Sequence, residues 1–338
     1  MHRKNTDIIL LAHGDGGALT RELIEGLFLK HFTGEKLRPL ADAAILPPRR
    51  GRLALTTDSF VVSPLFFPGG DIGKLAVCGT VNDLAVSGAL PCYLAASFII
   101  EEGLNLSVLE NVAASMARTC LEAGVEIAAG DTKVVERGHL DKLFITTTGV
   151  GWLPENIDLG CHRITPGDMV LVSGRLGDHG MAVLNERFGL DLNSRVTSDC
   201  APLNRILAEL LGCCPGVKLA RDLTRGGLAT AVKEIALAAG VDIWLEEAAV
   251  PVAPEVGSAA GVLGLDPLYL ANEGKFLAVV DPLEALPALD LLRRHPLGRM
   301  AALVGETRPG KGGAYLKTAL GGTKILELQA GAPLPRIC

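Results

Sequence analysis

The sequence predicts an α+β (mixed α/β) protein of two domains followed by an extended C-terminal tail, and three observations carry that expectation. The 338 residues are 49% hydrophobic, with 40 glycines and only 4% aromatic side chains, a composition suited to aliphatic sheets and tight turns. The apolar runs are mostly strand-like with a few helical stretches to cover them, which favours mixed sheets over a strict alternation of strand and helix. Near Pro166 the order of strand, glycine turn and helix begins again. The expected units are an N-terminal domain over 1–155, a C-terminal α/β domain over 156–322 and a flexible tail over 323–338.

In chain order, 8–12 reads as a short strand, followed by the turn His13-Gly-Asp-Gly-Gly17 and a helix over 18–32 with Leu19, Leu23 and Leu27 on one face. A glycine turn between strand and helix lets backbone N–H groups approach an anion, although it is equally a plain turn. A strand over 52–62 is interrupted by Asp58, and a helix over 71–87 carries Asn82 and Asp83. The buried-type strand 89–100 is followed by a helix opened by the capping box Ser107-x-x-Glu110 and closed by Gly124. A strand over 125–129 ends in Gly130-Asp131-Thr132-Lys133, with Glu136 and His139 just beyond, and 142–152 closes this half as a strand.

The second half opens with a strand over 166–172, a turn over 174–180 and helices near 181–188 and 202–212. Arg221-Asp222-Leu-Thr-Arg225-Gly226-Gly227 is a glycine turn that opens a helix reaching 239. Strands follow at 241–246 and 275–280, then a helix at 283–294 and a hairpin of 299–305 with 314–318.

Several function classes are excluded by composition. Acids and bases are interspersed with a formal charge of −6 and no basic block, so no nucleic-acid partner is expected. No apolar run reaches the ~18 residues of a membrane span, and the N-terminal run is too short for a signal-peptide core. Eight cysteines lie scattered without a C-x-x-C pair, the pattern of a reduced, cytoplasmic chain. The seven histidines never fall at zinc-ligand spacing.

The chemistry is expected at acids in apolar or glycine-rich settings: Asp58, Asp83, Asp131, Asp222 and Glu273. A buried lone carboxylate costs several kcal/mol unless it is paired or neutralised. Taken singly, each reads equally well as a cap or half of an ion pair; as a set they suggest a shared hard cation. Oxygen ligands alone point to Mg²⁺, and Mg²⁺ to a phosphate ligand. The segment Gly305-Glu-Thr-Arg-Pro-Gly310-Lys311-Gly312 matches the P-loop phosphate motif except at its last position, where glycine replaces the hydroxyl residue, and the following residues read as a strand; a hairpin turn is expected there instead. The chain ends Ala330-Gly-Ala-Pro-Leu-Pro-Arg-Ile-Cys338, a proline-stiffened arm that spans about 30 Å when extended and carries a thiol on its last residue. Such an arm is expected to be extended and poorly docked, either inserted into the site or swung outward.

Leu55-Thr-Thr-Asp58-Ser-Phe, Val81-Asn82-Asp83-Leu-Ala-Val-Ser-Gly-Ala, Gly130-Asp131-Thr132-Lys133-Val-Val-Glu136, Arg221-Asp222-Leu-Thr-Arg225-Gly226-Gly227 and Asn272-Glu273-Gly274-Lys275 resemble, in this order, the ATP-using superfamily of aminoimidazole ribonucleotide synthetase, selenophosphate synthetase and thiamine monophosphate kinase. With Pro335-Arg336-Ile337-Cys338 added, the chain resembles the carbamoyl dehydratases of nickel–iron hydrogenase maturation over essentially its whole length. The absence of a cysteine before Cys78 separates it from selenophosphate synthetases, and a kinase of free small molecules needs no terminal thiol.

The resemblance implies an aminoimidazole ribonucleotide synthetase-like fold and a homodimer in which N-terminal sheets pair. It also implies ATP bound between the two parts, and a carbamoyl group delivered to Cys338 by the carbamoyltransferase HypF. The group is dehydrated to a thiocyanate and the cyano group passes to the HypC–HypD complex. Asp58, Asp83 and Asp131 are then the expected Mg²⁺ ligands. Asn82, Gly130, Thr132, Asp222, Arg225, Gly226 and Gly227 join them around ATP. Lys133 is expected to stabilise charge on the transferred group, and Glu273, Glu136 and His139 are the candidate bases.

Overall fold

The computed structural model describes residues 7–190, 196–329, 331 and 336–338. A helical stretch, α1, spans 18–31. Strands β1 (Arg52–Phe60), β2 (Leu90–Glu101), β3 (Glu126–Val135) and β4 (Leu143–Leu153) form a four-stranded sheet in the order β1-β4-β2-β3. Only β2 and β3 run parallel, as the crossover helix α3 (Leu106–Ala123) between them requires. Side chains alternate across the pleat, so Asp58 and Phe60 point to the helix side while Thr57 and Ser59 point to an open face.

Helix α2 (Ile72–Val86) starts where the Asp71 carboxylate accepts the N–H groups of Gly73 at 2.7 Å and Lys74 at 3.1 Å. It is buried on nearly every side because the first sheet lies against one face and the second half of the chain against the other. That double burial accounts for its apolar composition and places Asn82 and Asp83 at the junction of the two halves.

The second half adds α4 (Asp178–Phe188), α5 (Asn204–Cys213), α6 (Gly227–Ala239), α7 (Pro254–Leu263) and α8 (Ala285–Arg294). Its strands are β5 (Met169–Val172), β6 (Val217–Asp222), β7 (Val241–Glu246), β8 (Phe276–Val280), β9 (Ala302–Pro309), β10 (Ala314–Lys317) and β11 (Thr323–Ile325). They form a seven-stranded sheet ordered β11-β10-β7-β9-β5-β8-β6. Helix α6 packs on one face, and α5 and α8 pack on the other. With both faces covered, β8 is apolar and buried at every position.

Several local expectations are corrected. Residues 8–12 are not a strand: Ile8 alone bridges Asn105, and the chain curls into the turn Leu11–His13, where the Leu10 N–H donates to the His13 ring at 2.9 Å. Helix α1 contains a π-turn, Ile24–Phe28. The Ser107–Glu110 capping box does not form, since the N-cap of α3 is Asn105, two residues earlier, and Glu110 instead meets Lys30 and His31. Gly124 does close that helix, at φ 73°.

The strand expected to stop at Ala129 continues to Val135, which puts Gly130–Lys133 inside an edge strand. The hairpin of 299–305 with 314–318 is replaced by β9 and β10 lying on opposite sides of β7. Residues 310–313 cross the start of β7, where the Asp242 carboxylate accepts the N–H groups of Lys311 at 3.0 Å and Gly313 at 2.8 Å. Thr323–Ile325, expected in the tail, is an edge strand of the second sheet. Helix α7 was not expected at all.

Candidate active site

A cavity of about 510 Å³ opens at the junction, between β1 and α2 on one side and the end of β6 with the segment before β8 on the other. Asp58, Asp83, Asp222, Glu273, Arg225 and Cys338 line it. Each is placed by its element: Asp58 by the pleat of β1, Asp83 by a turn of α2, Asp222 by the end of β6. Arg225 belongs to the turn after that strand, which the sequence requires to contain Gly226 and Gly227. Both glycines have positive φ, 78° and 57°, and a Cβ on Gly227 would stand 2.5 Å from the Leu268 and Leu270 carbonyl oxygens. Their role is to shape the turn. Arg221 also lines the cavity and was singled out only as part of its motif; its place next to Asp222 was the available signal.

Cys338 reaches this cavity because the end of the tail is docked. Its carbonyl accepts the Val61 N–H at 3.3 Å, and the Arg336 carbonyl accepts the Ser63 N–H at 3.3 Å. The Ile337 carbonyl meets His179 Nε2 at 2.8 Å, and the Ile337 side chain is 5% exposed in the first-half core. Arg336 donates to the Val61 carbonyl at 3.0 Å and pairs with Asp141 at 2.8 Å. The expectation of a poorly docked arm therefore fails at its last three residues, which bury an apolar side chain and saturate their carbonyls. Pro333 and Pro335, on which that expectation rested, lie outside the described residues.

The cavity crowds negative charge. Burial, then the Asp83 charge, pushes Asp222 up to about 6 despite Arg221. Burial and neighbouring Asp58 raise Asp83, against a hydrogen bond of 2.9 Å donated by Thr56 Oγ1 and the charges of Arg221 and Arg225. Glu273 is 2% exposed, and its Oε1 has no hydrogen-bond partner among the described residues. Burial, followed by Cys200 and Asp199, pushes its carboxyl well above the usual range. Cys338 is raised too, by burial first and by Glu273 second. The docked thiol is therefore neutral, with a buried carboxyl group beside it.

The other expected site residues are dispersed. Asp58, Thr147, Ala96 and Gly130 share one register line across the sheet, so the Gly130–Lys133 segment lies three strands from Asp58, about 14 Å away. Gly130, Asp131, Thr132 and Lys133 line a second pocket of about 150 Å³, together with Gly14 and Gly16 of the glycine turn. Within one chain Asp131 thus cannot share a cation with Asp58 and Asp83. Asn82 is 3% exposed and spent on backbone: it donates to the Ala201 and Glu273 carbonyls and accepts the Leu203 N–H at 2.7 Å. It ties the halves together and does not face the cavity. Glu136 and His139 are both exposed and pair with each other at 3.4 Å on the surface, away from Cys338, which leaves Glu273 as the carboxylate beside the thiol. Among the described residues no three His, Cys, Asp or Glu side chains form a metal-holding group by themselves.

Two α+β halves with an acid- and arginine-lined cavity between them define an AIR synthase-related protein. Residues 40–153 match the AIR synthase related protein N-terminal domain and 165–317 its C-terminal domain. More narrowly, the chain belongs to the HypE carbamoyl dehydratase family. It is 49% identical over 334 residues to carbamoyl dehydratase HypE of Rhodobacter capsulatus, covering 98% of each chain. A crystal structure of the hydrogenase maturation protein HypE in complex with ATP superposes with a TM-score of 0.94 at 46% identity, over 97% of this chain and 99% of that one. HypE in a HypE–HypF complex superposes at 0.80 with 45% identity, over 93% and 100%.

Proposed function

We infer that this chain is an ATP-dependent carbamoyl dehydratase that converts a carbamoyl group on the Cys338 sulfur into a thiocyanate, the source of a cyano ligand in hydrogenase maturation. The observation that carries the reading is the docking of Cys338 beside Glu273, whose buried Oε1 lacks a partner. A docked, neutral thiol is a poor nucleophile. It suits a site that processes an already loaded tail, with loading by HypF taking place while the tail is outside. The amide oxygen of the thiocarboxamide is a poor leaving group until it takes the γ-phosphoryl of ATP. Its departure as phosphate, with loss of both N–H protons, leaves the carbon–nitrogen triple bond. Glu273 is the base in this reading: a carboxylate raised toward neutral pH removes an N–H proton more effectively than an ordinary one. Arg221 and Arg225 neutralise phosphate charge.

The donor set fits Mg²⁺. Asp58, Asp83 and Asp222 are oxygen ligands whose mutual repulsion a divalent cation relieves, and Mg²⁺ completes its shell with water and phosphate, so a full protein cage is not needed. When bound, the cation screens the polyphosphate charge during transfer.

A homodimer resolves the separation of the Gly130–Lys133 segment from Asp58. Both β1 and β3 are free edges of the first sheet, and the open face exposes Leu53, Leu55, Leu90 and Ile99. Pairing β3 of one protomer with β1 of its partner, twice about a two-fold axis, closes the sheets and sets the Gly130–Lys133 segment alongside the strand that carries the other protomer's Asp58. Lys133 then meets the transferred phosphoryl across the seam. HypF and the HypC–HypD complex are the partners before and after this step. No helix of the described residues is long and apolar enough to cross a membrane, and the free acceptor thiol accords with the cytoplasm.

The test is mass spectrometry of the C-terminal peptide after incubation with HypF and carbamoyl phosphate, then with Mg-ATP. The peptide gains a carbamoyl group and loses one water only when ATP is added. A loaded peptide that never loses water makes the chain a carrier, and one that is never loaded removes the reading.

A further inference from the structure

We propose that His179 is a positioning residue for the reacting thiol: together with Ser198 it holds the Ile337 carbonyl and so registers Cys338 against Glu273. His179 lies on α4 with 0% exposure, edge-on to the Phe67 ring at 5.3 Å. Its Nε2 is 2.8 Å from the Ile337 carbonyl oxygen and its Nδ1 is 2.8 Å from Ser198 Oγ. A carbonyl only accepts, so Nε2 carries the proton and Nδ1 accepts from the Ser198 hydroxyl. Ser198 Oγ in turn accepts the Cys200 N–H at 3.1 Å. The chain of donors runs in one direction, from the 198–200 backbone through Ser198 and His179 to the tail.

The same segment, through Asp199, also holds the backbone at the carboxylate-bearing residue, Glu273. Asp199 accepts the Glu273 N–H at 3.0 Å and the Gly274 N–H at 3.3 Å, and it pairs with Lys275 at 3.3 Å. Ser198 and Asp199 thus serve the two reacting groups from adjacent positions, one through His179 to the thiol's own peptide and the other to the peptide of the base. The approach is tight, since a Cβ on Gly274 would stand 1.9 Å from the Asp199 carbonyl oxygen. Burial pushes the His179 imidazole below its ordinary range, with Asp199 the opposing charge, which keeps the ring in the neutral form that this chain of donors needs. Neither Ser198 nor His179 lines the cavity, so neither touches substrate.

The experiment compares His179→Leu, His179→Gln and Ser198→Ala with the unaltered full-length protein. The first readout is the alkylation rate of Cys338 by iodoacetamide, read on the C-terminal peptide. It needs no turnover and so is independent of the dehydratase reading. The second, which rests on that reading, is ATP-dependent water loss from the carbamoylated tail. With leucine, alkylation rises about tenfold, the value of one such hydrogen bond, and kcat for water loss falls by a similar factor while KM for ATP holds. Glutamine, whose amide N–H reaches the Nε2 position, restores both to within about twofold. Ser198→Ala, which leaves the ring in place, gives about a threefold change in the same directions and carries the test if the leucine variant does not fold. Unchanged alkylation in both His179→Leu and Ser198→Ala overturns the proposal, and so does a folded glutamine variant that behaves like leucine. Altered alkylation with no water loss from the unaltered protein sinks the dehydratase reading alone.

Discussion

The two edges of the first sheet carry similar residues and put them in opposite settings. At the β1 edge, Asp58 lies under the second half of the chain with Asp83, Asp222 and Glu273, and the tail closes the space with Cys338. At the β3 edge, Asp131 and Lys133 are exposed over a small pocket with a glycine turn at its rim and Phe28, Phe32 and Phe98 below. Burial is what separates them. Burial at the junction raises the proton affinity of Asp83, Asp222 and Glu273, as a base that must take up a proton demands, whereas the edge leaves Asp131 and Lys133 open to solvent, where an incoming polyphosphate can meet them. Neither edge alone completes a phosphoryl-transfer site, and the dimer proposed above joins them.

Cys338→Ala removes the acceptor and abolishes thiocyanate formation outright; any cyanylated product from this variant breaks the assignment of the junction. Glu273→Gln slows water loss by about 10³-fold while HypF still loads the tail, measured as carbamoyl retained on the peptide. Equal losses of loading and of water loss show a docking role in place of the base. Lys133→Ala lowers kcat/KM for ATP by about a hundredfold and leaves Cys338 alkylation untouched, because the lysine belongs to the other edge. Wild-type turnover removes Lys133 from the reaction.

The smallest effect sharpens the electrostatic half of the comparison. Asp222 titrates near 6 in the folded protein, above its ordinary value, so ionising it costs stability at alkaline pH. Asp222→Asn raises Tm by roughly 5 °C at pH 8 in the absence of nucleotide, and the gain shrinks as pH falls through 6 and is gone near 4. A gain independent of pH shows that packing, and not charge, is responsible.

Much of this was legible in the sequence because apolar periodicity and glycine punctuation are local. The strands around Asp58 and 89–100, the helix around Asn82-Asp83 and the stop at Gly124 follow from their own residues. The motifs around Asp58, Asp83, Asp222 and Glu273 gave the membership of the cavity. What failed was set by long-range partners. The 8–12 strand lost to a histidine that captures a nearby N–H, and the 299–318 hairpin lost to β7, which inserts between its arms. Asn82 looks like a site residue in its motif, yet its amide is consumed by backbone from more than a hundred residues away. Glu136 and His139 sit next to Lys133 in sequence, and the turn after β3 carries them off to solvent. His179 and Ser198 have no local signature, since their partner is the far end of the chain.

The most direct test of the claim that the two edges act together is a subunit-mixing experiment. Lys133→Ala and Glu273→Gln proteins, each nearly inactive, are dissociated, mixed in equal amounts and reassociated, and ATP-dependent water loss from the carbamoylated tail is measured. If Lys133 of one protomer serves Glu273 and Cys338 of the other, half the dimers are mixed and each restores one of its two sites, so activity returns to about a quarter of the unaltered protein's. A mixture whose subunits have exchanged but which stays as inactive as its parts contradicts the account, and places the whole reaction within a single chain.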